Sequence, residues 1–293
     1  MGGTFSVVAY GADPVQVEGA VALALAEAVR LDELLSNYKP TSEWSGINRE
    51  AARRPVPVSE ELFALLEACQ QFSAASQGAF DITVGPLLRT WRFYKGSGRL
   101  PHRAEIRTAL GEVGYAHLRL DPAARTVQFA REGMEIDPGG IGKGYAVDRM
   151  VTILKEQGVQ SALVSAAGSS IYGLGAPPQE PRGWRVDIRH PRDARQTVAT
   201  VYLNQMSLST SGAQEKFFEA GGRIYSHIFD PRTGYPASGR LQVSVLAPRT
   251  LDSEAWTKPV FIEGRSWAAQ FLPKGLRAYI CEDKRELSCA WLR

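Results

Sequence analysis

The stretch Asp137-Pro-Gly-Gly-Ile-Gly-Lys-Gly-Tyr-Ala-Val-Asp148 joins a predicted strand to a predicted amphipathic helix. Its four glycines allow a tight turn and a close approach of the backbone to a ligand, because they carry no Cβ. The N-terminus of the following helix offers unpaired N–H groups and the positive end of the helix dipole, which favour an anion. Lys143 adds a positive charge inside the same turn. The pattern predicts a phosphate-binding turn; the alternative is a glycine-rich helix start with Lys143 in solvent.

Two familiar phosphate motifs do not fit this turn. The residue after Lys143 is Gly144, whereas a P-loop has a Ser or Thr there that binds magnesium. A dinucleotide-binding fingerprint needs a surrounding βαβ unit, and the sequence before the turn does not predict one. The turn therefore predicts an anion site of another kind.

Composition narrows the class of protein. The 293 residues are 44% hydrophobic and 22% charged, with a formal net charge of +3, which is typical of globular proteins. No run of five basic residues occurs, so nucleic acid is not the expected partner. No apolar run approaches the roughly 20 residues that cross a bilayer, so we expect no transmembrane segment. Cys69, Cys281 and Cys289 lack metal-type spacing, and we expect core or surface thiols.

The order of helical and strand patterns predicts an α+β fold with mixed or antiparallel sheets and packed helices, in a single domain over residues 1–293. The polar segment Ser36–Asn48 is predicted to be a loop. Helices are predicted at 14–35, 59–76, 143–157 and 251–263, with a short helix carrying Trp91. Strands are predicted at 4–10, 117–121, 125–130, 134–137, 159–164, 184–190, 198–203, 206–210, 223–229, 241–247, 276–282 and 287–292.

Besides the glycine-rich turn, three loops carry polar residues with no evident structural purpose: those around Tyr38, around Asp81, and from Ser209 to Gly212. His227 follows the third loop, in a strand-like run. Its neutral form can accept a proton near neutral pH; the alternative is a hydrogen-bonded core histidine. No Gly-x-Ser-x-Gly elbow occurs, and the scattered His and Cys residues offer no zinc ligand pair.

Taken in order, these motifs resemble the FAD:protein FMN transferases, the ApbE family. The resemblance covers nearly the whole chain. It rests on Met1–Thr4, Leu34–Glu43, Gly78–Leu87, Asp137–Asp148, Thr210–Gly212, Tyr225–Gly234 and the helix that contains Glu254.

The resemblance implies an ApbE-like (T-fold-like) architecture and FAD as a substrate. A Thr or Ser hydroxyl of an acceptor protein would attack the phosphorus on the FMN side of the pyrophosphate, which leaves FMN as a phosphoester and releases AMP. Positioning and charge neutralisation supply most of the catalysis in such a transfer. His227 would contact the flavin nucleotide and act as general base.

The resemblance also implies contacts for the rest of FAD. Met1 and Tyr38 would flank the isoalloxazine ring. Ala79, Phe80 and Asp81 would contact the nucleotide, with Asp137 and Lys143 near its adenosine and pyrophosphate portions.

Magnesium is implied too, with the carbonyl of Gly140 as one ligand and an Asp-x-x-x-Thr helix supplying the others. Here Glu254 and Lys258 hold those two positions, four residues apart on one helix face. Glu can ligate magnesium, whereas a protonated Lys cannot. Either Lys258 replaces part of the metal, or a shifted helix brings Asp252 and Thr257 to the ion. Their five-residue spacing turns them apart, so we favour the first, which predicts weak or absent magnesium binding.

A protein that binds FAD in this way could have one of three activities. Transfer of FMN to an acceptor is favoured over FAD binding without turnover and over a pyrophosphatase that yields FMN and AMP. The sequence leaves the compartment open: the bacterial cell envelope or periplasm if a leader has been removed, and the cytoplasm otherwise.

Overall fold

The structure is a computed structural model that describes residues 3–94, 98–213, 215–284 and 286–292. Met1, which the resemblance places beside the flavin ring, lies outside the described residues. The helices are α1 (Pro14–Leu35), α2 (Glu43–Glu50), α3 (Glu60–Ala75), α4 (Gly85–Thr90), α5 (Arg103–Gly111), α6 (Gly142–Glu156), α7 (Thr250–Glu263) and α8 (Arg265–Phe271). The strands are β1 (Phe5–Tyr10), β2 (Val56–Pro57), β3 (Leu118–Asp121), β4 (Thr126–Phe129), β5 (Ser161–Ala166), β6 (Ser170–Leu174), β7 (Trp184–His190), β8 (Asp193–Leu203), β9 (Met206–Gly212), β10 (Phe217–Ala220), β11 (Arg223–Ser226), β12 (Arg240–Ala247), β13 (Arg277–Glu282) and β14 (Ser288–Trp291).

A seven-stranded sheet in the order β1-β5-β6-β9-β12-β13-β14 forms the centre of the molecule. Every pair of neighbouring strands in it is antiparallel. Alternate residues of a strand point to opposite faces, so β5 buries Ala162 and Val164 under helices and presents Leu163 to the other face. The two faces therefore carry separate hydrophobic clusters.

Helices cover one face of this sheet. Ala20, Ala24 and Ala28 recur every four residues on α1, and this small-residue stripe packs close to α6. α7 lies between α6 and strands β9 and β12, and most of its residues are buried on all sides. The burial of α7 fixes the side chains that it contributes to the site described below.

The β7–β8 hairpin covers part of the opposite face. Its apolar residues Trp184, Ile188 and Leu203 pack against Leu208 and Tyr279 of the large sheet. A third layer, made of α2, α3 and the small sheet β2-β4-β3, encloses a separate core around Trp44 and Leu62. This layer holds the segment that leads into the glycine-rich turn.

The α+β prediction, with antiparallel sheets and packed helices, is confirmed. The helix predicted from residue 59 is confirmed, and Ser59 caps it, since its Oγ accepts from the N–H of Leu62 at 3.3 Å. The prediction of a loop over residues 36–48 was wrong beyond Ser42, because Ser42 Oγ accepts from the N–H of Ser45 and starts α2. Residues 134–137 make only an isolated bridge through Glu135, and the structure adds α5, α8, β6 and β10, which were not predicted.

The expectation of free thiols was wrong for two of the three cysteines. Cys281 on β13 and Cys289 on β14 lie directly opposite each other in the antiparallel pair and form a disulfide. Cys69 is the free, buried thiol of the described chain. Among the helices that the structure describes, none is both long and apolar enough to cross a membrane.

Candidate functional site

Asn48 on α2 fixes the backbone that leads into the glycine-rich turn. The Asn48 side chain accepts from the N–H of Ile136 at 2.8 Å and donates to its carbonyl at 2.9 Å. Asp137 then caps the 3₁₀ turn Pro138–Gly140, its Oδ1 accepting from the N–H of Gly139 at 2.8 Å. A β-carbon at Gly139 would lie 2.6 Å from that oxygen, so the turn requires glycine there.

Asp137 also joins a small polar cluster with the Tyr38 loop. Its Oδ2 accepts from Asn37 Nδ2 at 2.7 Å, and the same amide nitrogen lies 3.3 Å from Tyr94 Oη. Tyr38 is more than half exposed and donates its hydroxyl hydrogen to the carbonyl of Tyr94 at 3.3 Å. Burial raises the pKa of the Asp137 carboxyl. Two predicted FAD contacts, Tyr38 and Asp137, are thus within one cluster.

Asn37 is a site residue that the sequence analysis missed. Its Oδ1 is buried and has no hydrogen-bond partner among the described residues. A buried acceptor without a partner costs free energy that a ligand donor would recover. The available signal was its position directly before Tyr38, which is too weak to identify it from sequence.

Ala79, Phe80 and Asp81 lie together in a buried turn after α3. Phe80 packs edge-on against Phe72, with ring centroids 5.8 Å apart. The carboxylate of Asp81 accepts from the N–H of Thr83 and from the N–H of Tyr115, both at 2.8 Å. Burial raises the pKa of Asp81. The carboxylate holds two loops together here, so a role in nucleotide binding stays a prediction.

The N-terminus of α6 holds a carboxylate of the chain itself. Oε2 of Glu254, a residue of α7, accepts from the N–H of Gly144. A β-carbon at Gly144 would lie 2.8 Å from that oxygen and 2.5 Å from the carbonyl of Thr250. Glycine at 144 therefore lets α7 approach α6. The N–H group of Gly144, which the sequence predicted to face a ligand anion, donates to Glu254 instead.

Lys258 lies one turn further along α7. Its Nζ donates to the carbonyl of Glu254 at 3.0 Å and lies 4.0 Å from Oε1 of the same residue. A β-carbon at Gly140 would be 3.6 Å from Lys258 Cε and 3.5 Å from Phe80 Cε2. The structure thus brings together Gly140, Glu254 and Lys258, the three residues predicted for the metal site. Burial lowers the pKa of Lys258 to about 8, with Lys143 acting in the same direction.

Lys143 extends from the start of α6 to the turn between β5 and β6. Its ammonium group donates to Oγ of Ser169, which is nearly buried. The solvated Lys143 that the sequence left open as an alternative is therefore not what the structure shows. A serine hydroxyl does not neutralise the ammonium, so its positive charge stays available to an anion.

His227 lies at the end of the β10–β11 hairpin, and a hydrogen bond fixes its tautomer. Its Nδ1 is 3.1 Å from the carbonyl of Lys216, which also accepts from the backbone N–H of His227 at 3.1 Å. Because a carbonyl only accepts, Nδ1 carries the hydrogen and Nε2 keeps a free lone pair. Burial lowers the pKa of His227 to about 4, with Lys216, Lys258 and Lys143 acting in the same direction.

A ladder of hydroxyl groups, which the sequence analysis missed, fixes α7 against β9. Ser253 Oγ lies 3.0 Å from Ser207 Oγ and 2.7 Å from Ser209 Oγ, and Thr257 Oγ1 lies 2.8 Å from Ser211 Oγ. All five side chains are buried. The alternate residues Ser207, Ser209 and Ser211 of β9 therefore position α7, and with it Glu254 and Lys258, whereas Thr210 pairs with Ser244 of β12. The signal was present as serines at every second residue of β9.

Asp148, the last residue of the glycine-rich motif, has a similar positioning role. Its two oxygens accept from the N–H groups of Thr250 and Leu251 at 2.7 and 2.9 Å. It therefore caps the N-terminus of α7 from α6. Asp148 therefore ties the glycine-rich motif to the N-terminus of α7.

The donor set around Gly140 does not fit magnesium. Mg²⁺ requires close to octahedral oxygen coordination, and the position for which the resemblance implies a Thr ligand is held by Lys258, whose ammonium cannot ligate. Asp252 and Thr257 offer no substitute, because Asp252 pairs with Arg249 at 2.7 Å while Thr257 faces β9. Within the described residues, no group of three or more His, Cys, Asp or Glu side chains could hold a metal ion.

Comparison with known proteins identifies relatives of the chain. The model of the ApbE family matches residues 1–280. A protein of Klebsiella pneumoniae (strain 342), named FAD:protein FMN transferase, is 32% identical over 302 residues, which cover 100% of this chain and 85% of the relative. A protein of the same name from Treponema pallidum (strain Nichols) is 35% identical over 269 residues, which cover 86% of this chain and 74% of the relative.

The fold has a close counterpart among solved structures. The apo form of the Pseudomonas stutzeri flavinyl transferase ApbE superimposes with a TM-score of 0.87 at 31% identity. The match covers 100% of this chain and 92% of that protein. The predicted ApbE-like architecture is confirmed by this likeness.

Proposed function

The chain belongs to the ApbE family, and we propose that it transfers the FMN portion of FAD to an acceptor protein and releases AMP. The relatives that carry the name FAD:protein FMN transferase support this activity. We further propose that the acceptor group is a Thr or Ser hydroxyl and that the whole transferase unit is a single domain.

The observation that carries the proposal is the grouping of three charged or basic side chains from separate segments. Lys143 comes from the start of α6, Lys258 from α7 and His227 from the end of a hairpin. Lys258 packs beside Gly140, in the same glycine-rich turn as Lys143, and the charges of both lysines lower the pKa of His227. Two ammonium groups beside a neutral imidazole form a site for a dianion that must be attacked by a hydroxyl group. The pyrophosphate of FAD has that charge.

Each side chain has a defined task in the proposed reaction. Nε2 of His227 accepts the proton of the acceptor hydroxyl, whose oxygen forms a bond to the phosphorus on the FMN side. The bond from that phosphorus to the bridging oxygen breaks, and AMP leaves with the bonding electrons. Lys143 and Lys258 stabilise the negative charge on the phosphoryl oxygens and on the leaving AMP.

The low pKa of His227 describes the protein before FAD binds. A base whose pKa is about 4 accepts a proton from a hydroxyl group inefficiently at neutral pH. Binding of a dianion between the lysines and His227 would offset their positive charge and raise this pKa, although the burial that lowers it most would remain. FAD binding would therefore activate the base.

We propose that Lys258 supplies the positive charge for which the family resemblance implies magnesium. Its Cε lies beside Gly140, and its ammonium lies 4.0 Å from Oε1 of Glu254. Since Glu254 also accepts from Gly144, it orients the lysine and does not need a metal ion to satisfy its charge. The remaining FAD contacts would come from Phe80 and from the cluster of Tyr38, Asn37 and Asp137, which lies together although the resemblance assigns Tyr38 to the flavin ring and Asp137 to the adenosine and pyrophosphate portions.

One assay tests the proposed function. The purified protein is incubated with FAD and a flavin-acceptor domain, and the products are analysed for AMP and for an acceptor mass increased by FMN. AMP together with labelled acceptor supports the transferase. AMP without label would indicate a pyrophosphatase, and neither product would indicate FAD binding without turnover.

A further inference from the structure

A groove of about 350 Å³ lies between the β7–β8 hairpin and the large sheet. Its floor is formed by Leu163 and Ser165 of β5 and by Ile171 of β6, all on the face away from the helices. One wall is formed by the hairpin. The described helices that carry the charged groups of the transfer site lie on the other face of this sheet.

The hairpin wall is basic, although Arg182 and Arg192 pair with Glu180 and Asp283. Residues 182–195 contain five arginines and two aspartates, and Arg185, Arg189 and Arg195 line the groove. Arg185 pairs with Asp187 at 3.2 Å and Arg195 with Asp193 at 3.0 Å, both on the hairpin itself. Arg189 donates to the carbonyl of Ala194 at 2.6 Å. Among the described residues, the large sheet contributes no carboxylate to the groove lining, so the wall keeps an excess of positive charge.

The groove ends close to the transfer site. Ser165 on its floor pairs with Ile171, and the next pair, Ala166 with Ser170, leads into the turn whose Ser169 accepts from Lys143. Two residues of extended chain span about 7 Å. A polypeptide lying in the groove can therefore continue to the phosphate held by Lys143 without a long connection.

From this placement we propose that the groove binds an acidic, extended segment of the flavin-acceptor protein, next to its target hydroxyl. The proposal rests on the proposed transferase function, because it assigns the binding surface for the second substrate. Its support is charge complementarity and the continuity of the groove with the turn at Ser169. Arginines suit carboxylates because their donors form a planar fork. Exposed ion pairs are individually weak, so the groove would select the acceptor through several of them.

The test is peptide binding measured by fluorescence anisotropy. The probe is a short labelled peptide in which aspartates flank one threonine, and its matched control carries asparagines in place of the aspartates. We expect only the aspartate peptide to bind, with an affinity that falls as salt is added. Arg185→Gln, Arg189→Gln and Arg195→Gln combined should weaken it about tenfold, the sum expected for three exposed pairs.

A second triple variant controls for charge alone. Arg53→Gln, Arg107→Gln and Arg119→Gln remove the same charge from exposed positions outside the groove, and they should leave binding unchanged. Equal losses in both variants, or equal binding of the two peptides, would overturn the proposal. Arginine-dependent binding to anionic phospholipid vesicles without peptide binding would also overturn it, and would assign the groove to a membrane surface.

Release of AMP from FAD separates this proposal from the proposed function. At saturating acceptor the groove variants should release AMP at the wild-type rate, since none of their residues lies in the transfer site. Absence of AMP release and of FMN transfer in the wild type would refute the transferase, whatever the peptide does. Transferase activity in the wild type, together with equal binding of the two peptides, would refute only the proposed role of the groove.

Discussion

Nζ of Lys258 lies 4.0 Å from Oε1 of Glu254 and 3.0 Å from its backbone carbonyl, one turn earlier on α7. We propose that the ammonium of Lys258 takes the place of the magnesium ion that the family resemblance implies. Because the cation is part of the chain, its charge is present whenever the amine is protonated. Several properties of the protein should follow from that.

We expect FMN transfer to continue in the presence of a metal chelator. Lys258→Thr should lower the rate under those conditions and make it rise when magnesium is added, because a hydroxyl at this position can join Glu254 and Gly140 as a ligand. The measurement is AMP release and acceptor mass with and without EDTA. Lys274→Thr, at an exposed position, is the matched control. If EDTA abolished the wild-type reaction, the proposal that Lys258 takes the place of magnesium would be refuted.

FAD affinity should fall as the pH rises through about 8. Burial lowers the pKa of Lys258 to about 8, so the amine loses its charge above that pH, and the pyrophosphate loses a cationic partner. Isothermal titration across the alkaline range measures this directly. In Lys258→Arg the guanidinium stays protonated, and the decline should disappear. An identical decline in wild type and variant would assign the effect to another group.

The same shift affects the stability of the protein without FAD. The pKa of Lys258 is lower in the folded protein than its ordinary value of 10.5, so between those two values the unfolded chain binds more protons. The free energy of unfolding should therefore rise with pH across that window. Lys258→Met should lack this contribution in urea titrations, and a parallel pH dependence of wild type and variant would contradict it.

His227→Gln should reduce the rate of transfer by about 10²–10⁴-fold, the range for loss of a general base. FAD affinity should change much less, because the imidazole accepts a proton and does not supply charge to the pyrophosphate. Single-turnover rates and equilibrium titration separate the two effects. His117→Gln, at a histidine away from the lysines, is the control. A large loss of FAD affinity with an unchanged rate would give His227 a binding role only.

Ser253→Ala should lower the free energy of unfolding by about 1–3 kcal/mol, the cost of leaving buried hydroxyl groups unpaired. Ser209 loses its side-chain partner, and α7 loses one of its attachments to β9. FAD affinity should fall as well, since Lys258 is on the same helix. Urea unfolding and FAD titration measure both, with Ser266→Ala, at an exposed position, as control. Unchanged stability would show that the ladder does not fix α7.

Local patterns were sufficient for most of the fold. The bounds of α1 agree with the prediction, because Asp13 and Pro14 mark its start clearly and apolar residues recur at helical spacing. α2 was missed because its polar residues serve tertiary contacts, among them those of Asn48 with Ile136. The disulfide follows from strand register, which places Cys281 opposite Cys289. Spacing along the sequence does not reveal that register.

Only part of the candidate site could be predicted from the sequence. Gly140, Glu254 and Lys258 were identified through the family resemblance, and the structure brings them together. Sequence could not show that Glu254 accepts from Gly144, because that contact joins residues 110 positions apart. Nor could it distinguish Asp81 and Asp148, whose carboxylates hold backbone N–H groups, from carboxylates that face a ligand. The nucleotide contacts assigned by resemblance stay predictions.

The most direct test is a crystal structure of the protein with FAD, grown in the presence of magnesium. We expect the pyrophosphate to lie between Lys143 and Lys258, Nε2 of His227 to face the phosphorus on the FMN side, and no metal ion to lie between Glu254 and the phosphates. A magnesium ion ligated by Glu254 with Lys258 displaced, or a pyrophosphate bound away from both lysines, would contradict this expectation.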